Sequence, residues 1–253
     1  MLIHQFNQWL AQQSPPQAAI DFFHLGGQET TLQLLNLLTN TDIQAYQVLD
    51  LGSGIGGTAR LLAPRVAHVV GIDLQADYCQ IAQQLNSHIN NIEFIQANAL
   101  QLPFTQASFD LVISEHLQMA IENKAHYAAE ISRILRPGGK LLCFELFKTQ
   151  HCIDEQITLP LPWADEADTQ YLDFADQLQI SFQQAQLTLL AQHDVSALCL
   201  HQLTQKLQRQ QQRQHTTGSD ILMGEFALKK QENLLKLLKN NWISCQQWLL
   251  TKS

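Results

Sequence analysis

The chain has 253 residues, 45% of them hydrophobic, with 15 basic and 23 acidic side chains and a formal charge of −8. That composition excludes a disordered or collagen-like chain, and the length suits one α/β domain with at most a small appendage. The acidic balance argues against a nucleic-acid binder, whose affinity draws on lysine and arginine, and no apolar run reaches the ~18 residues a membrane-crossing helix needs.

Leu2, Ile3, Phe6, Trp9 and Leu10 recur at helical spacing until Ser14-Pro15-Pro16. This N-terminus has no basic leader and is broken by polar residues, so it does not read as a signal peptide. A second helix is expected from about Gln17 to just before His24, and a third through Leu32, Leu35 and Leu38. From Tyr46 short apolar strands alternate with amphipathic helices. Strands are predicted at Tyr46–Leu51, Ala67–Ile72, Ile92–Ile95, Phe109–Ser114 and Lys140–Leu146. Helices are predicted at Gly57–Leu62, around Ala76–Ser87 and through Tyr127–Leu135. Such alternation implies a parallel sheet covered on both faces. Beyond Thr149 the pattern loosens: helices at Asp173–Gln186, Val195–Gln214 and Glu225–Asn240, and strands at Leu187–His193 and Trp242–Thr251. The last strand needs a sheet to join, so a separate C-terminal domain is not expected. The five cysteines form no C-x-x-C pair and the histidines lack metal-ligand spacing. Neither a disulfide framework nor a metal site is therefore expected, and a cytoplasmic location fits.

The strongest local signal is Val48-Leu-Asp-Leu-Gly-Ser-Gly-Ile-Gly-Gly-Thr58, between a strand and a helix. Glycines there permit a tight turn and close approach of a ligand to the backbone. Asp73 ends the next strand, where a carboxylate can accept from both hydroxyls of a ribose. Gly52, Gly54 and Gly57 also fit the dinucleotide fingerprint, and a plain strand-to-helix turn uses glycines too. Asp50, two residues before the first glycine, would repel a pyrophosphate and suits a cationic amino group.

Further blocks follow in order: Ala97-Asn-Ala-Leu-Gln-Leu-Pro-Phe104, Ser108-Phe-Asp-Leu-Val-Ile-Ser114 and Arg133-Ile-Leu-Arg-Pro-Gly-Gly-Lys-Leu-Leu142. With them the sequence resembles the class I S-adenosylmethionine-dependent methyltransferases over roughly residues 20 to 147. The resemblance implies a Rossmann-like seven-stranded sheet, mostly parallel with an antiparallel last strand, helices on both faces and an N-terminal helical cap. It implies one domain over 1–253, made of a cap (1–45), a cofactor-binding core (46–147) and a region of acceptor-side or lid helices with the last two strands (148–253). It implies S-adenosyl-L-methionine as cofactor and S-adenosyl-L-homocysteine as product. Asp50, Gly52, Ser53 and Gly54 would then line the methionine end, Asp73 would hold the ribose with Leu74 against the adenine, and Asn98 and Ala99 would meet the adenine edge. Many relatives carry Asp where Asn98 stands. Phe23-His-Leu-Gly-Gly-Gln-Glu-Thr-Thr31 is similar to a segment of small-molecule methyltransferases acting on sarcosine and dimethylglycine, phosphoethanolamine or tocopherols. There it folds over the methionine end, which assigns Gly26 and Gly27 to the cofactor.

Methyl transfer needs alignment, exclusion of water and, for a protonated acceptor, a base. Ser114-Glu-His-Leu-Gln-Met-Ala120 follows the strand that faces the sulfonium in the family. Ser114 is assigned to the cofactor. His116 is the candidate base, with a helix cap as its bland alternative; Glu115 and His24 are further candidates, and Glu145 could point into the pocket. Sarcosine- and phosphoethanolamine-type relatives carry Asp where His116 stands, and the phosphoethanolamine type has His where Ala120 stands, which argues against an amine acceptor of that kind. Trp163, Tyr171, Phe174 and Phe182 are candidates for an acceptor pocket, and Lys206, Arg209 and Arg213 share one helical face. The leading expectation is a methyltransferase with a small-molecule acceptor and no nucleic-acid or membrane partner. Cyclisation or cleavage of the cofactor, an NAD(P)-dependent oxidoreductase, and methylation of tRNA or protein remain as alternatives.

Overall fold

The computed structural model describes residues 2–12, 22, 24–39, 41–213 and 218–253, with the side chains of 211–213 left aside. The helix expected from Gln17 and the side chain of Arg213 lie outside the described residues. Helix α1 spans Leu2–Leu10 and α2 spans Gly27–Leu35. Then come β1 (Gln47–Leu51), α3 (Gly57–Leu62), β2 (His68–Asp73), α4 (Ala76–Leu85), β3 (Ile92–Gln96) and β4 (Phe109–Glu115). They are followed by α5 (Lys124–Ile134), β5 (Leu135–Lys148), α6 (Ala175–Gln184), β6 (Leu187–Asp194), α7 (Ser196–Arg213), α8 (Gly218–Met223), α9 (Ala227–Lys239) and β7 (Ile243–Lys252).

The seven strands form one sheet in the order β3-β2-β1-β4-β5-β7-β6. Strands β1 to β5 run parallel, and β7 runs antiparallel to both β5 and β6. The architecture is the Rossmann-like one that the alternating pattern and the resemblance imply. Central strands are apolar on both faces because helices cover both faces. Alternate residues divide between two cores, as the two-residue period of a strand requires. Val48, Leu111, Ile113 and Leu142 pack with α2, α3, α7 and α9. Leu49, Val112 and Leu141 pack with Tyr127 and Ile131 of α5 and Phe182 of α6.

Most predicted elements sit within two residues of their expected bounds, with three differences. Strand β5 begins at Leu135, five residues early: Leu135 pairs with Phe109 and the register shifts before Lys140 meets Leu111. Pro137-Gly138-Gly139 is thus an irregularity inside the strand, and Arg136 Nη1, 2.5 Å from Asp110 Oδ2, pins it. Helix α5 starts at Lys124 because the Asn123 side chain accepts from His126 N–H at 2.9 Å. Helix α8 was not anticipated. It packs on α1 in a small third core of Phe6, Ile55, Ile81, Leu85 and Leu222, where a Cβ on Gly218 would sit 2.9 Å from Trp9. Among the described residues no helix is long and apolar enough to cross a membrane.

Candidate active site

At the carboxyl end of β1 the chain turns through Gly52, Gly54 and Gly56, at φ of 79°, 52° and 78°. That left-handed backbone is the region in which glycine escapes the Cβ penalty. Gly52 N–H and Ser53 N–H both donate to the Ile72 carbonyl, at 2.9 and 2.8 Å, so the turn is hung on β2. Asp73, ending β2, completes the suspension: Oδ2 accepts from Gly54 N–H and Oδ1 from Gln75 N–H, each at 2.9 Å. Its carboxyl is raised above the usual carboxylate range by burial, which these N–H donors oppose.

Asp50 sits beneath the turn, 3% exposed, accepting from Ala59 N–H at 3.1 Å. Burial, and then the neighbouring Glu115, pushes its carboxyl well above the ordinary value. Glu115, ending β4, is buried and accepts from Thr58 Oγ1 of α3 at 2.6 Å and from Thr31 Oγ1 of α2 at 2.9 Å. His24 Nε2 lies 2.9 Å from Thr31 Oγ1 and 3.6 Å from the same carboxylate. One buried carboxylate therefore joins the N-terminal cap, the glycine-turn helix and the central strand. Opposite it, Gly26 has φ 84°, and a Cβ there would fall 2.1 Å from Thr30 Cγ2, so this bend admits only glycine without a shift.

His116, at φ 57°, begins the turn after β4. Its backbone N–H donates to the Phe144 carbonyl at 2.7 Å, and its ring lies 4.5 Å from that of Phe144 and 5.8 Å from that of His24, centroid to centroid. Nδ1 accepts from Leu25 N–H at 3.4 Å. Burial, and then His24, drives the imidazole well below its usual pKa, so it is neutral. The side chain caps no helix; it packs between the cap and the sheet.

These groups line one cavity of about 690 Å³. Its floor holds Asp50, Asp73, Glu115 and the glycine turn. Leu25, Gly26 and Gly27 of the cap line it too, as do Met119, Leu146, Trp163, Leu203, Lys206 and Gln231. Of the residues singled out from the sequence, the cavity gathers His24, Gly26, Gly27, Asp50, Gly52, Ser53, Gly54, Asp73, Glu115 and His116. It does not include Leu74, Asn98, Ala99 or Ser114. Leu74 is exposed at 63%, at the rim after β2. The Asn98 side chain closes its own turn, accepting from Leu100 N–H at 2.9 Å, and Ala99 is packed in the core. Ser114 is wholly buried: its hydroxyl donates to Glu145 Oε1 at 3.0 Å and accepts from Tyr127 at 2.7 Å, so no side-chain contact to the cavity is open to it.

Glu145 likewise faces inward, accepting from Ser114 and from the N–H groups of Leu117 and Gln118, which shapes the turn that carries His116. Of the four aromatic candidates only Trp163 reaches the cavity. Phe182 packs on Tyr127 and Trp248, Phe174 is exposed beside Lys148, and the Tyr171 hydroxyl donates to the Asp168 carbonyl. Lys206 of the shared basic face lines the cavity and donates to Ser219 at 3.0 Å. Thr58, Gln202 and Gln231 escaped the sequence reading, since no spacing marks a residue that enters a site through tertiary packing.

Residues 49–143 match the family model described as a methyltransferase domain. The ubiquinone/menaquinone biosynthesis C-methyltransferase UbiE of Hahella chejuensis is 40% identical over 108 residues, 40% of this chain and 43% of that protein. The chain spans about half or less of the length of the curated relatives it matches. Two solved structures superpose on nearly all of it. Phosphoethanolamine N-methyltransferase 2 of Haemonchus contortus, in complex with S-adenosyl-L-methionine, does so at TM-score 0.76 and 19% identity, over 98% of this chain and 60% of that one. The [4+2]-cyclase SpnF does so at TM-score 0.76 and 19% identity, over 99% and 92%.

Proposed function

Residues 49–143 belong to the methyltransferase-domain family, and on that footing we propose that this protein transfers a methyl group from S-adenosylmethionine to a small-molecule acceptor. One observation carries the reading: three carboxylates and a glycine turn share a single cavity, and burial raises two of the carboxyls above their ordinary range. Such a site favours a ligand that brings positive charge close to exposed peptide groups. S-adenosylmethionine brings a sulfonium and an ammonium. The donor set fits it: Asp50 and Glu115 stand near one another, the Ser53 hydroxyl is buried without a partner among the described residues, and Gly52, where a Cβ would sit 3.3 Å from Leu117, keeps the backbone of the turn bare.

In this reading Asp73 accepts from the ribose hydroxyls while it holds the glycine turn through Gly54. Asp50 faces the amino group. Gly26 and Gly27 bring the cap backbone over the methionine end, with the exposed Leu74 next to Asp73 on the side where the adenine would rest; Asn98 and Ala99, outside the cavity, keep no side-chain role in this reading. Glu115 and His24 are positioning residues, because their polar atoms are engaged with Thr31 and Thr58. His116 is the residue proposed to touch the acceptor. Residues 1–45, 46–147 and 148–253 serve as cap, cofactor core and acceptor wall. When bound, the cofactor supplies an electrophilic methyl carbon and leaves as S-adenosylhomocysteine. The chain's own work is to align the acceptor and keep water out, for which Leu117, Met119 and Leu146 supply apolar surface.

The test is incubation with S-adenosylmethionine labelled in its methyl group and a small-molecule extract, followed by mass spectrometry. A labelled metabolite formed in step with S-adenosylhomocysteine is the expected result. Methylthioadenosine instead, or no turnover with any fraction, would overturn the proposal; the fold alone does not choose, since a [4+2]-cyclase shares it.

A further inference from the structure

The cavity's lining is mixed in chemistry. Beside its carboxylates and apolar side chains it holds two ring nitrogens, His116 Nε2 and Trp163 Nε1, each buried without a hydrogen-bond partner among the described residues. An indole N–H is only ever a donor. The state of His116 follows from its other nitrogen. Nδ1 accepts from Leu25 N–H, so in the neutral ring the single proton sits on Nε2. Both orphans are therefore N–H donors, and His116 holds no lone pair with which to take a proton from an acceptor. The base role expected from the sequence is replaced by that of a hydrogen-bond donor.

Buried donors without partners are costly, and a ligand oxygen that satisfies them recovers that cost on binding. Lys206 lines the same cavity, and Met119, Leu146, Leu203 and Leu234 supply apolar surface. At the two rings an ammonium group would find only donors, its acceptors in the cavity being the carboxylates, Ser53 Oγ and the amide oxygens of Gln202 and Gln231. An oxygen anion would find acceptable partners.

We propose that the methyl acceptor is an apolar molecule ending in a carboxylate, received by the N–H groups of His116 and Trp163. This rests on the methyltransferase reading. The reaction then balances without a base: one carboxylate oxygen supplies a lone pair to the methyl carbon, the carbon–sulfur bond breaks with its electrons staying on sulfur, and the products are a neutral methyl ester and neutral S-adenosylhomocysteine. No proton has to leave the acceptor.

The experiment is calorimetry on the full chain, first with S-adenosylhomocysteine alone, then with octanoate, octanol and octylamine titrated into protein saturated with it. Octanoate is expected to bind at least about tenfold more tightly than the other two, in keeping with a hydrogen bond to a charged group. Trp163→Phe and His116→Phe should each weaken octanoate by about tenfold and leave S-adenosylhomocysteine affinity unchanged, while His116→Gln, which keeps a donor, should restore most of the loss. Octylamine binding as well as octanoate, or octanoate affinity indifferent to both Phe variants, would overturn the acceptor assignment and leave the cofactor reading standing. Failure of S-adenosylhomocysteine itself to bind would overturn both.

Discussion

Thr31→Val removes one hydroxyl and changes little else in volume. Thr31 is wholly buried, and its Oγ1 donates to Glu115 Oε1 at 2.9 Å. Hydrogen bonds to carboxylates contribute about 1.5–3 kcal/mol, so the variant should lose about that much. In a domain of this size the loss corresponds to roughly 3–12 °C in Tm. Thr31→Ser keeps the hydroxyl and deletes one methyl, for about 0.8 kcal/mol. Glu115 also accepts from Thr58 at 2.6 Å, so Thr31→Val and Thr58→Val should not add. Removing both leaves the carboxylate buried without either donor, and their interaction energy should be about 0.5–3 kcal/mol. Urea unfolding of the wild type, the three single variants and the double variant measures all of this. Thr31→Val costing no more than Thr31→Ser would refute the claim that this carboxylate fastens the cap to the sheet.

Asp73→Ala should weaken S-adenosylhomocysteine by about 1.5–3 kcal/mol, roughly 10- to 150-fold by calorimetry; unchanged affinity would mean that the ribose site is elsewhere. Gly56→Ala places a Cβ 2.4 Å from Phe94 Cζ at φ 78°, and strain plus overpacking should destabilise the fold by about 2–5 kcal/mol, read by thermal denaturation. Burial pushes the Glu145 carboxyl up to about 8, against hydrogen bonds from Ser114, Gln118 and Leu117. A folded value above the unfolded 4.5 gives stability that is complete below 4.5 and lost as pH rises through about 8. Glu145→Gln should therefore gain on the wild type between pH 5 and 8.5 in urea unfolding; a constant difference between the two would show that Glu145 is ionised throughout.

Local chemistry was readable from sequence, and convergence was not. The glycine turn, Asp50 and Asp73 fall within one strand–turn–helix–strand unit, so a short stretch of residues specifies their arrangement. The Pro137-Gly138-Gly139 irregularity misled the reading of β5 because those residues usually break strands, while here Leu135 reaches Phe109 across the sheet. Ser114 and Glu115 are adjacent on β4 and point to opposite faces, so one is sealed in the core with Tyr127 while the other meets the cap. Trp163, Lys206 and Gln231 lie in segments without a motif and meet only because α7 and α9 fold back over the sheet. The tautomer of His116 depends on a backbone N–H 91 residues away.

The position of β7 sets an order of events during synthesis. Strand β6 emerges before β7 yet has β7 as its neighbour in the sheet, and β7 lies between β5 and β6. Lys140 pairs with Thr251, more than a hundred residues on, so this closure is slow compared with the pairing of β1, β2 and β4. Until it happens the long edge of β5 is uncovered, a surface prone to pairing with other chains. Helices α7 and α9, which carry Lys206 and Gln231, lie between β6 and β7 in the chain, so the nascent protein has made Asp50, Asp73 and Glu115 well before the helices that complete the cavity.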